Sequence, residues 1–215
     1  MTQLNIVLAA VDEELAGAWE RFCGDLPGVS VRRGSILDVH CDAVVSPANS
    51  FGFMDGGIDH LYSRHFGWHV QQRLQEAIRT LHHGELLVGR AEIVPTDDAR
   101  IPFVIAAPTM RVPMILRETV NPYLAARAAL LLIRHDRFRD GPFAGEPVAS
   151  VVRTVVFPGL GTGVGKVGPN TCARQVRAAI EEVVFEKGSF PQTWADAQSR
   201  HQLLYGDRFR DLQKE

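Results

Sequence analysis

Asp42-Ala43-Val44-Val45-Ser46-Pro47-Ala48-Asn49 runs straight into Ser50-Phe51-Gly52-Phe53-Met54-Asp55-Gly56-Gly57-Ile58-Asp59. The first half is a short apolar run, Ala43–Ser46, that reads as a buried strand entering a polar turn. The second half carries Gly52, Gly56 and Gly57 and ends on Ile58-Asp59, where helical spacing begins. The order is strand, glycine loop, helix. Phe157-Pro158-Gly159-Leu160-Gly161-Thr162-Gly163-Val164-Gly165 repeats it, following the apolar run Val151–Phe157 and preceding a second periodic stretch. Alternating glycines let a backbone approach a ligand closely and turn its N–H groups toward an anion. A helix N-terminus adds positive potential at the same place. In an open α/β sheet, ligands bind beyond the carboxyl ends of the strands. Two such loops side by side make a groove suited to a diphosphate-bridged ligand.

The rest of the chain supports an α/β domain. Leu4–Ala9, Val29–Arg33, Ala91–Pro95 and Phe103–Ala107 read as further strands. Val11–Phe22, Ile58–Leu81 (one long helix or two), Asn121 to about His135, and Asn170–Glu186 have helical spacing. Asn121-Pro122 reads as a capping residue followed by proline at the first helical position. Strands alternating with helices argue for a mostly parallel sheet. Residues 137–150, with two glycines and two prolines, read as an exposed connection. The expected organisation is one domain over 1–187 and a C-terminal helical tail or docking segment over 188–215. Thr193–Leu204 is the candidate tail helix.

Composition excludes several classes. The chain has 215 residues, 46% hydrophobic and 22% charged, with a formal net charge of −2. That balance argues against a general nucleic-acid or anionic-membrane surface. No apolar run reaches membrane-spanning length, and Met1-Thr2-Gln3-Leu4-Asn5 lacks the pattern of a signal peptide. A cytoplasmic location is expected. Cys23, Cys41 and Cys172 are too few and too scattered for a disulfide framework or structural zinc site. Of the 19 glycines, eight lie in 52–57 and 159–168.

Familiar phosphate motifs fail in the second loop. A P-loop needs glycine where Leu160 stands and Ser or Thr where Val167 stands. Gly163-x-Gly165-x-x-Gly168 matches the dinucleotide fingerprint, but only 47 residues follow it, too few for the remainder of such a sheet.

Asp42–Asp59 resembles the macrodomain signature, roughly D-x-(I/V)-V-N-x-A-N, a glycine run, then V-D or V-E. Asn49 and Asp59 have its ten-residue spacing, and Gly56-Gly57-Ile58 fills the gap before the acid. Pro158–Gly165 resembles the family's second loop, P-x-(I/L)-x-T-G-(I/V). Phe103–Pro108 with Asn121–Ile133 is similar to the strand and helix between them, and the likeness covers about residues 30–185.

The resemblance implies a three-layer α/β/α fold with a mixed, mostly parallel sheet and ADP-ribose in a cleft above it. Gly56, Gly57 and Ile58 would line one side of the diphosphate, and Pro158, Gly161, Thr162, Gly163, Val164 and Gly165 the other. Ser35, Ile36 and Ala48 would complete the ligand-binding set. Asn49 matches the residue that bonds the distal ribose. Asp59 matches the acid that orients or activates water in the hydrolase branch, and the two form the implied catalytic pair. The implied activity is hydrolysis of an ADP-ribosyl or O-acetyl-ADP-ribose linkage, without cofactor or metal. The alternative is a non-catalytic reader of ADP-ribose or a related nucleotide. A third class is a scaffold that uses its tail as a homo-oligomer interface.

Several positions depart from the family pattern. Ser35 replaces the usual acid of the adenine pocket, with Asp38 as a nearby substitute. Ser46 replaces the first asparagine, and Asp55 a glycine. Gly165 stands where an aromatic often packs on the distal ribose, with Phe51 or Phe53 as replacement surface.

Other residues invite weaker readings. His65 and His69 lie i, i+4 and could share a metal, but no third ligand is evident. His82-His83 suit a helix C-terminus. Cys172, near a helix N-terminus, is expected to have a lowered pKa.

Overall fold

The computed structural model describes residues 4–212, so the readings made on Met1–Gln3 and on the last three residues of the tail lie outside the described residues. Six strands form one sheet: β1 (Asn5–Ala10), β2 (Val29–Arg33), β3 (Ala43–Ser46), β4 (Glu92–Pro95), β5 (Phe103–Ala106) and β6 (Thr154–Phe157). Their order is β2-β1-β6-β3-β5-β4, all parallel except the β4–β5 pair. The helices are α1 (Glu13–Cys23), α2 (Gly57–Phe66), α3 (His69–Leu81), α4 (Asn121–His135), α5 (Val148–Val151), α6 (Pro169–Val183) and α7 (Trp194–Leu203).

Strand alternation produces three layers. Side chains of successive strand residues point to opposite faces, so Ala43 and Val45 of β3 enter the core beneath α1, α4 and α6. Val44 enters the second core, formed with Tyr62, Phe66, Val70, Leu74 and Ile78 of α2 and α3. Ser46 shares the face of Val44 and therefore looks toward α2.

The helical stretch after the first loop is two helices. Gly67 has φ +104°, and a Cβ there would lie 2.8 Å from the His69 ring, so the chain turns between α2 and α3. The expected strand Val151–Phe157 begins only at Thr154. β1 begins pairing at Asn5, opposite Thr154, which leaves the preceding residues without a strand partner. Val148–Val151 instead make one helical turn, and Val152 is buried in the core. The Asp42 carboxylate marks the boundary by accepting from Arg153 N–H (2.9 Å) and Thr154 N–H (2.8 Å).

Two further expectations change. Residues 137–150 are not a wholly exposed connection. Phe138 and Val148 are buried, and Phe138 packs against Phe103 and Phe143 at ring separations of 5.0 and 5.6 Å. Asn121 does not cap α4: Val120 holds the cap position, and the Asn121 amide donates to the Thr109 carbonyl at 2.7 Å.

The tail lies against α6. Thr193 caps α7 through the Asp196 N–H (3.0 Å). Arg174 of α6 donates to the Leu203 and Gly206 carbonyls and pairs with Asp207 at 2.8 Å.

Gly67→Ala is expected to lower the unfolding free energy by more than about 1 kcal/mol, because alanine must adopt a positive φ there. A denaturant melt checks this. Nearly unchanged stability would mean that the α2–α3 break does not depend on glycine.

Candidate functional site

A cleft of about 480 Å³ opens above the carboxyl ends of the strands. The sheet order sets its long axis. Ala9–Asp12 at the end of β1 and just beyond it, and Gly34–Ile36 after β2, form one end. The loops after β6 and β3 form the middle, and Thr109, Met110 and Pro113 after β5 form the other end. Ser35, Ile36, Ala48, Asn49, Gly56, Gly57, Ile58, Asp59, Pro158, Gly161, Thr162, Gly163, Val164 and Gly165 all line this one cleft.

The middle is built for an anion. The first-turn amides of α2, at Gly57, Ile58 and Asp59, precede the first intrahelical donor, His60 N–H, and have no acceptor among the described residues. Across the cleft, the N–H groups of Gly161, Thr162, Gly163 and Val164 have no acceptor among the described residues. A Cβ on Gly56, Gly57 or Gly163 would meet nothing within 4 Å, so these glycines border open space. Gly165 differs, because a Cβ there would lie 2.5 Å from the Gly161 carbonyl oxygen and press on Leu116. Backbone packing thus excludes an aromatic at that position. Phe53 lines the cleft, whereas Phe51 lies under the Arg111 guanidinium at 5.2 Å. Gly168, at the start of α6, does not line the cleft, so the α2 N-terminus faces it rather than that of α6.

Asp59 is buried, with one carboxylate oxygen 2.5 Å from the donating Ser46 hydroxyl. Burial pushes its pKa up to about 7, while the Ser46 hydrogen bond opposes that rise. Beneath it, Tyr62 is buried and donates to the Val45 carbonyl at 3.1 Å. The Ser46–Asp59 pairing follows from β3 alternation and the first turn of α2, and the substitution of serine for asparagine was its only signal in sequence. Asn49 directs its side chain into its own loop: Oδ1 accepts from Phe51 N–H (3.1 Å) and Phe53 N–H (3.3 Å), and Nδ2 donates to the Phe53 carbonyl (2.7 Å).

At the β1–β2 end, the Ser35 hydroxyl accepts from Leu37 N–H at 3.3 Å. Asp38, the anticipated substitute acid, does not line the cleft. Asp12 does. One of its oxygens caps α1 through Leu15 N–H (2.8 Å), and the other has no partner among the described residues. In sequence Asp12 is visible only as part of the helical stretch Val11–Phe22. Asp55 is exposed at the rim. Among the described residues no Lys, Arg or His lines the cleft.

Residues 45–176 match the family model described as Macro domain. The chain belongs to the macrodomain family. It is 32% identical over 155 residues to an uncharacterized protein of Aquifex aeolicus (strain VF5), covering 72% of this chain and 80% of that protein. An uncharacterized protein of Aeropyrum pernix is also 32% identical, over 76% of this chain and 75% of its own length. Among solved structures, the macrodomain of Mycobacterium tuberculosis DarG matches with a TM-score of 0.56 and 18% identity, over 70% of this chain and 88% of that one. A variant Oceanobacillus iheyensis macrodomain solved with ADPR matches with a TM-score of 0.56 and 19% identity, over 72% and 77%. At these identities the likeness is one of fold.

The side readings on histidine and cysteine resolve separately in this macrodomain. His65 faces Asp98 at 3.5 Å, and His69 contacts the Thr96 carbonyl (3.1 Å) and Asp97 (3.5 Å). Among the described residues, no group of three or more candidate ligands converges. His82 occupies the C-cap of α3 and contacts buried Glu92 at 2.8 Å. Cys172 is fully buried in the first turn of α6, and desolvation pushes its thiol up to about 12, overriding the expected lowering by the helix.

Asp59 gives a signed test. Its folded pKa of about 7 lies above the ordinary value of 3.8, so the folded state holds the proton more tightly. The Asp59 contribution to stability is therefore fully present below about pH 4 and is lost as pH rises through 7, by up to about 4 kcal/mol. Asp59→Asn should be more stable than wild type at pH 8 and similar to it at pH 4. Denaturant midpoints at the two pH values check this. A pH-independent difference would refute the raised pKa.

Proposed function

We propose that this macrodomain binds ADP-ribose along the cleft and hydrolyses an ADP-ribosyl or O-acetyl-ADP-ribose linkage at the distal ribose. The observation that carries the reading is a buried carboxylate with a pKa near 7 in the amide-lined middle of the cleft. The free amides of the α2 first turn and of Gly161–Val164 would hold the diphosphate without a side-chain cation. Asp59 would act as general base. It takes a proton from water, the water oxygen attacks the carbon of the linkage, and the bond to the leaving oxygen breaks. The proton then passes to that oxygen. A base whose pKa lies near the operating pH is effective in such a step.

Asn49 would act chiefly through Phe53, by holding the loop that presents this ring to the distal ribose. Its second amide N–H remains for a ribose hydroxyl. The same arrangement favours a second reading, a reader that binds without turnover, because Asn49 is largely committed to its own loop.

Calorimetry with ADP-ribose and turnover assays on wild type, Asp59→Ala and Gly163→Leu test the proposal. Asp59→Ala should bind ADP-ribose yet lose at least about a hundredfold in rate, and wild-type turnover should rise with pH through 7. Gly163→Leu should fold normally, since its side chain enters open space, and should weaken binding at least tenfold by filling the cleft. ADP-ribose binding by a wild type without turnover would leave the reader. Failure to bind at high micromolar concentration would overturn both readings.

Asp12 would read the base. Its free carboxylate oxygen at the β1–β2 end accepts an N–H, which suits adenine over a base presenting a carbonyl there. Asp12→Asn keeps the helix cap but should erase most of the preference for ADP-ribose over an inosine analogue in competition binding. An unchanged preference would remove Asp12 from base recognition.

A further inference from the structure

The first glycine loop is pinned from behind by the two helices that follow it. Met54 is fully buried in the second core, against α2 and α3. Its N–H donates to Gln71 Oε1 of α3 at 2.7 Å, and its carbonyl accepts from the Ser63 hydroxyl of α2 at 2.8 Å. Ser63 is buried as well. The break at Gly67 lets both helices reach this one residue. Side chains thus satisfy the two polar groups of the Met54 backbone, which lies outside any strand or helix.

Phe53 and Asp55, on either side of Met54, face the opposite way. Both line the cleft, and Phe53 is 54% exposed. A phenyl ring left in water forgoes the free energy of burial, so the backbone has to hold it there. Asn49 bonds the Phe53 N–H (3.3 Å) and carbonyl (2.7 Å), and the Met54 pin fixes the next residue. Phe53 is therefore clamped from both sides. Its place along the cleft gives the clamp a use. A nucleotide with its base at the β1–β2 end and its diphosphate in the middle extends its second sugar toward the β5 end. There Asn49 bridges Met110 and carries Phe53 with it. The ring offers that sugar an apolar face. ADP ends at the diphosphate and lacks the sugar that would meet it.

We propose that Gln71 and Ser63 are positioning residues for ligand selection. Through Met54 they aim the Phe53 ring at the second sugar, so the preference for ADP-ribose over ADP depends on two side chains that do not line the cleft. The proposal rests on the ADP-ribose reading of the cleft. Its physical basis is the pin itself. A loop N–H or carbonyl stripped of its partner turns to find water, and when Met54 turns, Phe53 leaves its place.

Calorimetry with ADP-ribose and with ADP, run on the full chain beside denaturant melts, tests this. Wild type should bind ADP-ribose about tenfold more tightly than ADP, and Phe53→Ala should lose most of that margin. Gln71→Leu and Ser63→Ala should lose it too, while binding ADP as wild type does. Gln71→Glu keeps an acceptor oxygen for the Met54 N–H and should keep the margin. If the melt shows that Gln71→Leu does not fold, Ser63→Ala decides by the same comparison. A margin that survives the loss of either partner, with only the melt changed, would make these side chains structural ties and overturn the proposal. Loss of the margin in Gln71→Glu would also overturn it, as would an unchanged margin in Phe53→Ala or equal wild-type affinity for the two ligands. Each of those outcomes leaves ADP-ribose binding by the wild type intact. Its absence would refute the underlying reading and this proposal with it.

Discussion

The parallel pairing of β3 with β6 is the constraint on which the site depends. It joins Ala43 to Val155 and Val44 to Val156 and ends there. Beyond that point the two central strands part, and each continues into its own glycine loop. The loops are therefore neighbours in space although more than a hundred residues separate them in the chain. A crevice between diverging strands of a parallel sheet is the place where open α/β folds take ligands. Here the two amide-bearing walls follow directly from that divergence.

The same strand fixes the chemistry of the acid. Because Val44 faces α2, so does Ser46 two residues on, at the level where α2 begins. Asp59 in that first turn meets the Ser46 hydroxyl in a buried setting. Burial raises the proton affinity of the carboxylate, and the hydroxyl limits the rise. A serine at this position thus tunes its neighbour and is more than a shortened asparagine. Gly165 is similar in kind: what looks like a missing aromatic is a close approach of backbone to backbone.

Much of this is legible in the sequence alone. Val29–Arg33 and Ala43–Ser46 carry strong local signals, and the strands have the bounds those signals give. The glycine loops were legible because four alternating glycines exceed what a turn requires. Errors arose where a long-range partner decided the outcome. The apolar run at Val151–Phe157 has the residues of a long strand, yet the length of β1 sets where pairing starts. Phe138 and Val148 sit among turn residues, so their burial was hidden from a local reading. Asn121 has the chemistry of a cap but bonds Thr109 across the fold. Asp12 was read as a helix residue, and only the adjacency of β1 and β2 brings it to the cleft. Chain-local patterns carry propensity and spacing; they do not carry register.

Among the described residues no cationic side chain lines the cleft, and this has a consequence for selectivity. Most phosphate-binding proteins draw their ligands in with a positive field and slow down as salt screens it. In this cleft the attraction comes from backbone dipoles that act only at contact, while Asp12 and Asp55 stand at the approaches. The seated ligand is therefore held by directed N–H groups. The ligand that succeeds is selected by how well its oxygens fit the amides, not by how much charge it carries.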